Sequence, residues 1–281
     1  MTVTISNPGK ALFPDGLTKA DLASYYERVA GVMLPHVRGR PLHMQRFPDG
    51  IDGPEVQQKQ APDYFPDFVD RVEVPRKRGG TVTHAMIEST DTLVYLAGQA
   101  CITPHVWLAR ADRLDCPDQL IFDLDPPGGD LGPARAAARR LRALLEEAKL
   151  TPFVKTTGSR GYHVVAPLDR TRSFDEARSF AREVARELVD RAPDRFTVEQ
   201  RIAARQGRLY LDTARNGYAQ TAVAPYAVRA IDGAPVACPL EWEELGRVEP
   251  QRFTVRNLFR RLARRADPWA DMARAAAPLP R

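Results

Sequence analysis

Residues 120–127, LIFDLDPP, constrain this chain more than any other stretch, because they set two acids on an apolar strand that stops at a pair of prolines. Side chains alternate across a strand, so Leu120, Phe122 and Leu124 face one way while Ile121, Asp123 and Asp125 face the other. Two carboxylates on one face repel unless a cation lies between them, and hard oxygen ligands of this kind suit Mg²⁺ or Mn²⁺. A strand end whose acids are simply solvated fits the same short motif, so the motif alone leaves both readings open.

With 43% hydrophobic residues among 281, the chain can bury a substantial core. A formal net charge of +5 favours an anionic partner without demonstrating one. Lysine occurs only at positions 10, 19, 59, 77, 149 and 155, so most of the 41 basic residues are arginines, whose planar fork matches phosphate oxygens. Runs such as ARAAARRLRALLEEAKL (134–150) nevertheless read as solvated faces of amphipathic helices. Cys101, Cys116 and Cys238 are odd in number and widely spaced, which argues against a disulfide framework and a zinc site and implies a reducing compartment. The start, MTVTISNPGKALFP, lacks a basic-then-apolar signal layout, and no run approaches the ~18 apolar residues of a membrane span. The expectation is a cytoplasmic protein with no membrane partner.

Thr18 and Asp21 form a helix start signal, and Leu22, Tyr25, Tyr26 and Val29 recur at helical spacing, predicting a helix over 20–33 that Pro35 ends. Between 70 and 125 the runs VDRVEVP, TVTHAMIES, TLVYLAG and QLIFDLD read as strands of a sheet. A helix near 132–149, a strand at 152–157, the turn GSRG and a strand at 162–168 follow. Ser173 and Glu176 make a capping box ahead of a helix with Phe174, Ala177, Phe180, Val184 and Leu188 on its apolar side. Short strands are expected at 208–212 and 219–224, and helices near 240–247 and 256–266. With no repeat and no Gly/Ser linker, a single α+β domain over 1–281, built on a central mixed or antiparallel sheet flanked by helices, is the economical reading.

Two further stretches carry chemistry. In KTTGSRGYHVVAPL (155–168), Gly158 and Gly161 let backbone approach a ligand closely, while Thr157, Ser159, Arg160 and His163 offer hydroxyl, guanidinium and imidazole donors. This is a phosphate cradle or an ordinary hairpin with a polar loop. In RLYLDTARNGYAQTAVAPYAVR (208–229), Asp212 ends an apolar strand and is followed by Arg215, Asn216 and Arg229. A third carboxylate supplies the extra oxygen ligands that two divalent ions need, and the arginines would neutralise a triphosphate. A turn acid with a local ion pair reads equally well. His105, in ITPHVWLAR, has apolar neighbours and by itself reads as a hydrogen-bonded core residue.

In this order, LIFDLDPP, KTTGSRGYHVVAPL and LYLDTARNGYAQTAVAPYAVRA resemble the polymerase domain of bacterial DNA ligase D, a member of the archaeo-eukaryotic primase superfamily that works in non-homologous end joining. NPGKALFPDGLTKADLASYY, GRPLHMQRFPDGIDG, PLEWEEL and ADPWADM extend the resemblance over nearly the whole chain. It implies a primase-like fold with an N-terminal DNA-end-binding segment (about 1–70), a catalytic core (about 71–235) and a C-terminal helical segment (about 236–281). It implies Asp123, Asp125 and Asp212 as a catalytic, metal-binding triad holding two ions, Mn²⁺ or Mg²⁺. Thr157, Ser159, Arg160, Gly161 and His163 would hold the phosphates of an NTP or dNTP, with Arg215 and Arg229 assisting and His105 in the nucleotide pocket. Lys10 and Lys19 would meet a DNA 5′-phosphate at a gap, nick or end, with Lys59 on the DNA-facing side. Ku and a DNA ligase are the protein partners implied, and the bacterial nucleoid the place of action.

The sequence departs from that pattern at Thr157, where serine is usual, and at Arg160, where lysine is usual; both keep the donor chemistry. Val56-Gln57 stand where two adjacent aromatics are expected to stack on template bases, with Tyr64 and Phe65 as the nearby replacements. The expected activity is template-directed nucleotidyl transfer onto a DNA 3′-hydroxyl, favouring ribonucleotides. Two alternatives stand beside it. Haloacid-dehalogenase-like phosphohydrolases also open on hhhDxD, although Pro126-Pro127 break their pattern. A DNA-end-binding module without catalysis would keep the lysines, but would have no use for three acids that repel without metal.

Overall fold

A computed structural model describes residues 3–76 and 78–280. The chain forms two compact, interleaved units: Met1–Leu114, Thr221–Ala237 and Phe253–Arg265 make the first, and Asp115–Gln220, Cys238–Arg252 and Ala266–Arg281 the second. The N-terminal segment to about 70 lies wholly in the first unit, whereas the segments read from sequence as 71–235 and 236–281 each divide between the two.

The elements run α1 (Lys19–Val37), β1 (Leu42–Arg46), β2 (Val56–Gln58), β3 (Arg71–Pro75), β4 (Thr81–Ala85), α2 (Thr90–Gly98) and β5 (Cys101–Trp107), then β6 (Gln119–Leu124), α3 (Leu131–Glu147), β7 (Phe153–Thr156), β8 (Tyr162–Pro167) and α4 (Phe174–Arg191). Short pieces close the chain: β9 (Phe196–Thr197), β10 (Leu209–Tyr210), β11 (Thr221–Val223), β12 (Pro239–Leu240) and α5 (Leu258–Leu262). The α+β class with antiparallel sheets is the one expected. Among the described residues, no helix is long and apolar enough to cross a membrane.

In the first unit, α1 begins at the Thr18–Asp21 capping box and buries Leu22, Tyr25, Tyr26, Val29 and Met33. It does not stop at Pro35 but runs to Val37. Proline's fixed φ is helical, so in the last turn it forfeits a hydrogen bond without turning the chain, and the Arg38 N–H still closes on the Leu34 carbonyl. The run TLVYLAG, expected as a strand, is helix α2. Ser89 caps it by accepting the Thr92 N–H, and Leu93, Leu96 and Ala97 bury one face at helical spacing. The sheet order is β11-β5-β1-β2, antiparallel throughout, beside a separate β3–β4 hairpin. Buried hydroxyls pin distant segments to it: Tyr25 donates to the Tyr226 carbonyl, Tyr26 to Ile102 and Thr103 to Val228. Each such bond satisfies a polar group that burial would otherwise penalise.

In the second unit, the sheet order is β12-β7-β8-β6, again antiparallel. Register places Val154, Val164 and Phe122 side by side, all fully buried, on one face. On the same face as that row, the Tyr162 hydroxyl lies 3.3 Å from Arg135 Nε of α3 and donates to the Val248 carbonyl at 2.7 Å. The next row, one residue along and therefore on the opposite face, is Lys155, His163 and Asp123. Helix α4 carries the expected Ser173–Glu176 capping box. The expected strand at 208–212 is regular only over Leu209–Tyr210, which pairs in parallel with β9. Of the two late helices, that expected at 240–247 is a single 3₁₀ turn, Trp242–Glu244, and that at 256–266 shortens to Leu258–Leu262. Cys101, Cys116 and Cys238 are free and buried, and burial pushes the Cys101 thiol up to about 12.

Candidate active site

Asp123 lies on edge strand β6, directly opposite His163 on β8, which is itself opposite Lys155 on β7. On its other side Asp123 meets Asp212: the Asp123 N–H donates to the Asp212 carbonyl at 3.0 Å and the Asp212 N–H to the Asp123 carbonyl at 3.2 Å. Residues that exchange both backbone hydrogen bonds sit opposite one another with side chains on one face. Two acids 89 positions apart in sequence are thereby neighbours.

Asn216 fastens that pairing. Its side-chain oxygen accepts the Ile121 N–H at 2.8 Å, and its amide nitrogen donates to the Ile121 carbonyl at 2.7 Å and the Thr213 carbonyl at 3.0 Å. The loop bearing Asp212 is thus stitched to the strand bearing Asp123 by a residue that is 1% exposed. Sequence reading left Asn216 as a loop neighbour of Arg215. An asparagine four residues after an acid, just before a glycine, is a turn signal, but nothing in it names a distant strand as partner.

Asp125 lies just beyond the strand, beside the turn 157–161. The Thr157 hydroxyl lies within 3.2 Å of the Ser159 and Gly161 amides and 3.1 Å from the Gly161 carbonyl, so one side chain organises the whole turn. Gly158 takes φ +67° there, which glycine adopts without strain. Gly161 is required for a different reason. A Cβ at that position would sit 2.0 Å from the Leu124 carbonyl oxygen and 2.8 Å from Asp125 Oδ1. Only glycine lets the cradle close against the acid strand.

Charge is matched around the acids. Arg215 Nε lies 3.6 Å from Asp123 Oδ2, Arg160 Nη2 lies 3.4 Å from Asp125 Oδ2, and His163 Nε2 lies 3.4 Å from Asp123 Oδ1. Burial would raise the Asp123 carboxyl, but His163, Arg215 and Lys155 outweigh it and hold the group at about 2. Burial, then the Lys155 charge, lowers His163 to about 4, so the ring is neutral at neutral pH although Asp123 pulls the other way. Asp212 Oδ1 accepts the Ala214 N–H at 2.7 Å.

Asp123, Asp125 and Asp212 are therefore brought to one region, yet among the described residues no three acidic, histidine or cysteine groups already stand as a metal cage. Each acid lies near a donor: Asp123 near His163 and Arg215, Asp125 near Arg160, and Asp212 on the Ala214 N–H. The residues nonetheless fit a divalent ion: Asp123 and Asp212 are backbone neighbours, and the buried Asp123 Oδ1 meets His163 Nε2 only at 3.4 Å, beyond a close hydrogen bond. Oxygen donors of this kind would hold Mg²⁺ or Mn²⁺.

Thr157, Ser159, Arg160, Gly161, His163 and Arg215 belong with these acids to the second unit. His105, Arg229, Lys10, Lys19 and Lys59 belong to the first. There His105 pairs with His43 across β5 and β1, ring centroids 6.0 Å apart. Arg229 stands in a turn whose N–H donates to the Pro235 carbonyl at 2.7 Å. Lys19 is buried, with its Nζ 3.4 Å from the Ser6 carbonyl. Burial, then the charges of Lys10 and Arg46, lower its pKa. Lys10 pairs with Asp49 at 2.7 Å, and Lys59 is exposed.

Comparison with known proteins gives this geometry a family. The profile of the LigD primase-polymerase domain matches residues 18–269. The chain belongs to that family. Its members are metal-dependent nucleotidyltransferases. The chain is 34% identical over 275 residues to the multifunctional non-homologous end joining protein LigD of Mycobacterium bovis, covering 94% of this chain and 36% of the relative. It is also 34% identical over 281 residues to LigD of Pseudomonas aeruginosa, covering 96% of this chain and 33% of that protein. It thus spans about a third of the length of these curated relatives. Its fold matches the polymerase domain of Mycobacterium tuberculosis Ligase D, solved in complex with DNA, with a TM-score of 0.92 and 32% identity over 98% of this chain and 99% of that one. Family membership removes the phosphohydrolase alternative.

Two outcomes test the site's construction. Asn216→Ala leaves the Ile121 N–H and carbonyl without their buried partner, which should cost about 2–4 kcal/mol in urea unfolding. Because His163 is held near 4 in the folded chain against 6.5 unfolded, the unfolded chain binds more protons between those values, so stability should fall as pH drops from 6.5 to 4. The loss should reach on the order of 3 kcal/mol. Asp123 should add its own loss only further down, from 3.8 to about 2. Thermal melts at pH 7 and pH 4.5 should show the fall in the parent chain and a smaller one in His163→Gln.

Proposed function

We propose that this chain catalyses template-directed nucleotidyl transfer onto a DNA 3′-hydroxyl at gaps or broken ends, favours ribonucleotides, and uses two divalent ions, manganese or magnesium. The observation that carries the proposal is the backbone exchange between Asp123 and Asp212, which makes two acids distant in sequence immediate neighbours, one of them buried. Bound divalent ions would lower the pKa of the attacking hydroxyl and neutralise the leaving pyrophosphate. The protein's part is to position and to supply charge. Asp123, Asp125 and Asp212 offer the oxygen ligands, the Thr157-organised turn presents Ser159, and Arg160 and Arg215 are exposed enough to exchange their carboxylates for phosphate oxygens. No side-chain nucleophile is needed, because in-line attack at phosphorus is served by positioning and charge.

The first unit supports the DNA half of the reading. Lys10, Lys19 and Arg46 lie close enough that, after burial, the charges of Lys10 and Arg46 lower the Lys19 pKa, and a 5′-phosphate would offset that repulsion. The relative that shares this fold was solved with DNA. Non-homologous end joining, with Ku and a ligase as partners, is the context in which we place the activity, in the bacterial cytoplasm at the nucleoid.

The test is extension of a gapped, 5′-phosphorylated duplex with each nucleotide type under Mn²⁺ and Mg²⁺. Asp123→Asn should lower extension by at least about 10³-fold while duplex binding stays within a few fold, as expected when transition-state charge stabilisation is removed; undiminished extension would refute the assignment. Asp49 neutralises Lys10. Asp49→Asn should therefore strengthen the preference for 5′-phosphorylated over 5′-hydroxyl gaps by severalfold in competition binding, with a steeper salt dependence.

A further inference from the structure

Lys155 sits in the middle of the second unit's sheet, on β7 between β12 and β8, and is 1% exposed. A lysine is rarely placed there, because desolvating an ammonium is expensive unless the surroundings return the loss. The register shows what returns it. Lys155 is directly opposite His163, His163 is directly opposite Asp123, and Asp123 is directly opposite Asp212, so the cation heads a cross-strand row that ends in carboxylates. Its charge reaches both of the nearer members, lowering the pKa of His163 and of Asp123.

Asp123 and Asp125 are thus met by three cations of two kinds. Arg160 and Arg215 have side chains 75% and 41% exposed and can swing to another anion. Lys155 cannot leave. A site already balanced by its own cations attracts a bare divalent ion weakly, whereas a divalent ion arriving with a triphosphate brings the anion that draws the arginines away. After that exchange Lys155 is still fixed behind the acids.

We propose that Lys155 is a positioning residue that makes divalent-metal binding depend on nucleotide, by fixing a cationic side chain behind the aspartates. The inference rests on the nucleotidyl-transfer reading of the site. It has a signature that a purely structural role lacks. A buried charge that opposes the metal and favours the triphosphate affects the two ligands in opposite directions, and the coupling between them is reciprocal.

The experiment measures Mn²⁺ binding by paramagnetic resonance titration of the full chain, with and without a non-hydrolysable nucleoside triphosphate, and measures analogue binding in chelator without metal. The parent chain should bind Mn²⁺ at least tenfold more tightly with the analogue than without. In Lys155→Met, Mn²⁺ affinity of the nucleotide-free protein should rise about tenfold while metal-free analogue affinity falls about tenfold. Lys155→Arg, which keeps the charge, should follow the parent. Weakening of both ligands in Lys155→Met, or no change in nucleotide-free Mn²⁺ affinity, would overturn the inference and leave the polymerase reading standing. Should the variants fail to fold, equal Mn²⁺ affinity of the parent with and without analogue overturns it by itself. No Mn²⁺ binding by the parent under either condition would remove the underlying reading and the inference with it.

Discussion

The pair of backbone hydrogen bonds between Asp123 and Asp212 is the interaction on which the chemistry of this chain depends. It is made by main-chain groups, so side-chain repulsion cannot undo it without breaking two buried hydrogen bonds. The fold therefore brings like charges together by force of backbone geometry and leaves the side chains to find compensation. Asn216 protects the arrangement by spending its whole amide on main-chain groups. The sheet protects it again by burying an apolar row, Val154, Val164 and Phe122, one residue away on the other face.

Compensation then organises everything around the acids. A buried Asp123 is held as an anion first by His163 beside it, then by two cations, Arg215 near the surface and Lys155 within the sheet. Burial, and then the same lysine, keep His163 neutral, which leaves the ring able to donate or accept without adding a competing charge. Acids, histidine and lysine form one electrostatic unit in which each group's state is set by the others. The Thr157 turn belongs to that unit through Gly161, since the only backbone that passes Leu124 closely enough is one without a Cβ.

Much of this was legible in the sequence, and the part that was not has a physical reason. Alternation singled out Asp123 and Asp125 together, although β6 ends at Leu124 and leaves Asp125 just beyond it, and the glycines marked a tight turn, because those signals are local. Asp212 was singled out as a third carboxylate, but its register with Asp123 is a long-range pairing that no local pattern encodes. Lys155 was passed over because a lysine in a short strand reads as a solvated edge, whereas β7 lies inside the sheet. The helix α2 was read as a strand because Thr92, Leu93, Val94 and Tyr95 are residues that strands favour, while its cap, Ser89, lay outside the run considered. Pro35 misled for a related reason: proline terminates a helix when its missing N–H falls in the interior, and here it falls in the last turn.

The first unit raises the question of how a surface short of the expected aromatic pair would engage a template. Val56 and Gln57 are exposed on β2, so that position offers no ring at all. Of the two nearby candidates, Phe65 is 3% exposed and packs edge-on against Tyr95, which removes its faces from any base. Tyr64 is 63% exposed, and its hydroxyl lies 3.5 Å from Arg46, the residue opposite Val56 in the β1–β2 pairing. An aromatic stacks only through a free face, so Tyr64 alone can supply a platform where two rings were expected. Losing one ring of two removes ~1–3 kcal/mol of sequence-independent stacking. On the proposed function, the arginine-rich charge of the chain must then carry a larger share of DNA affinity, while the salt slope, set by the number of phosphates neutralised, stays what it would be with both rings in place.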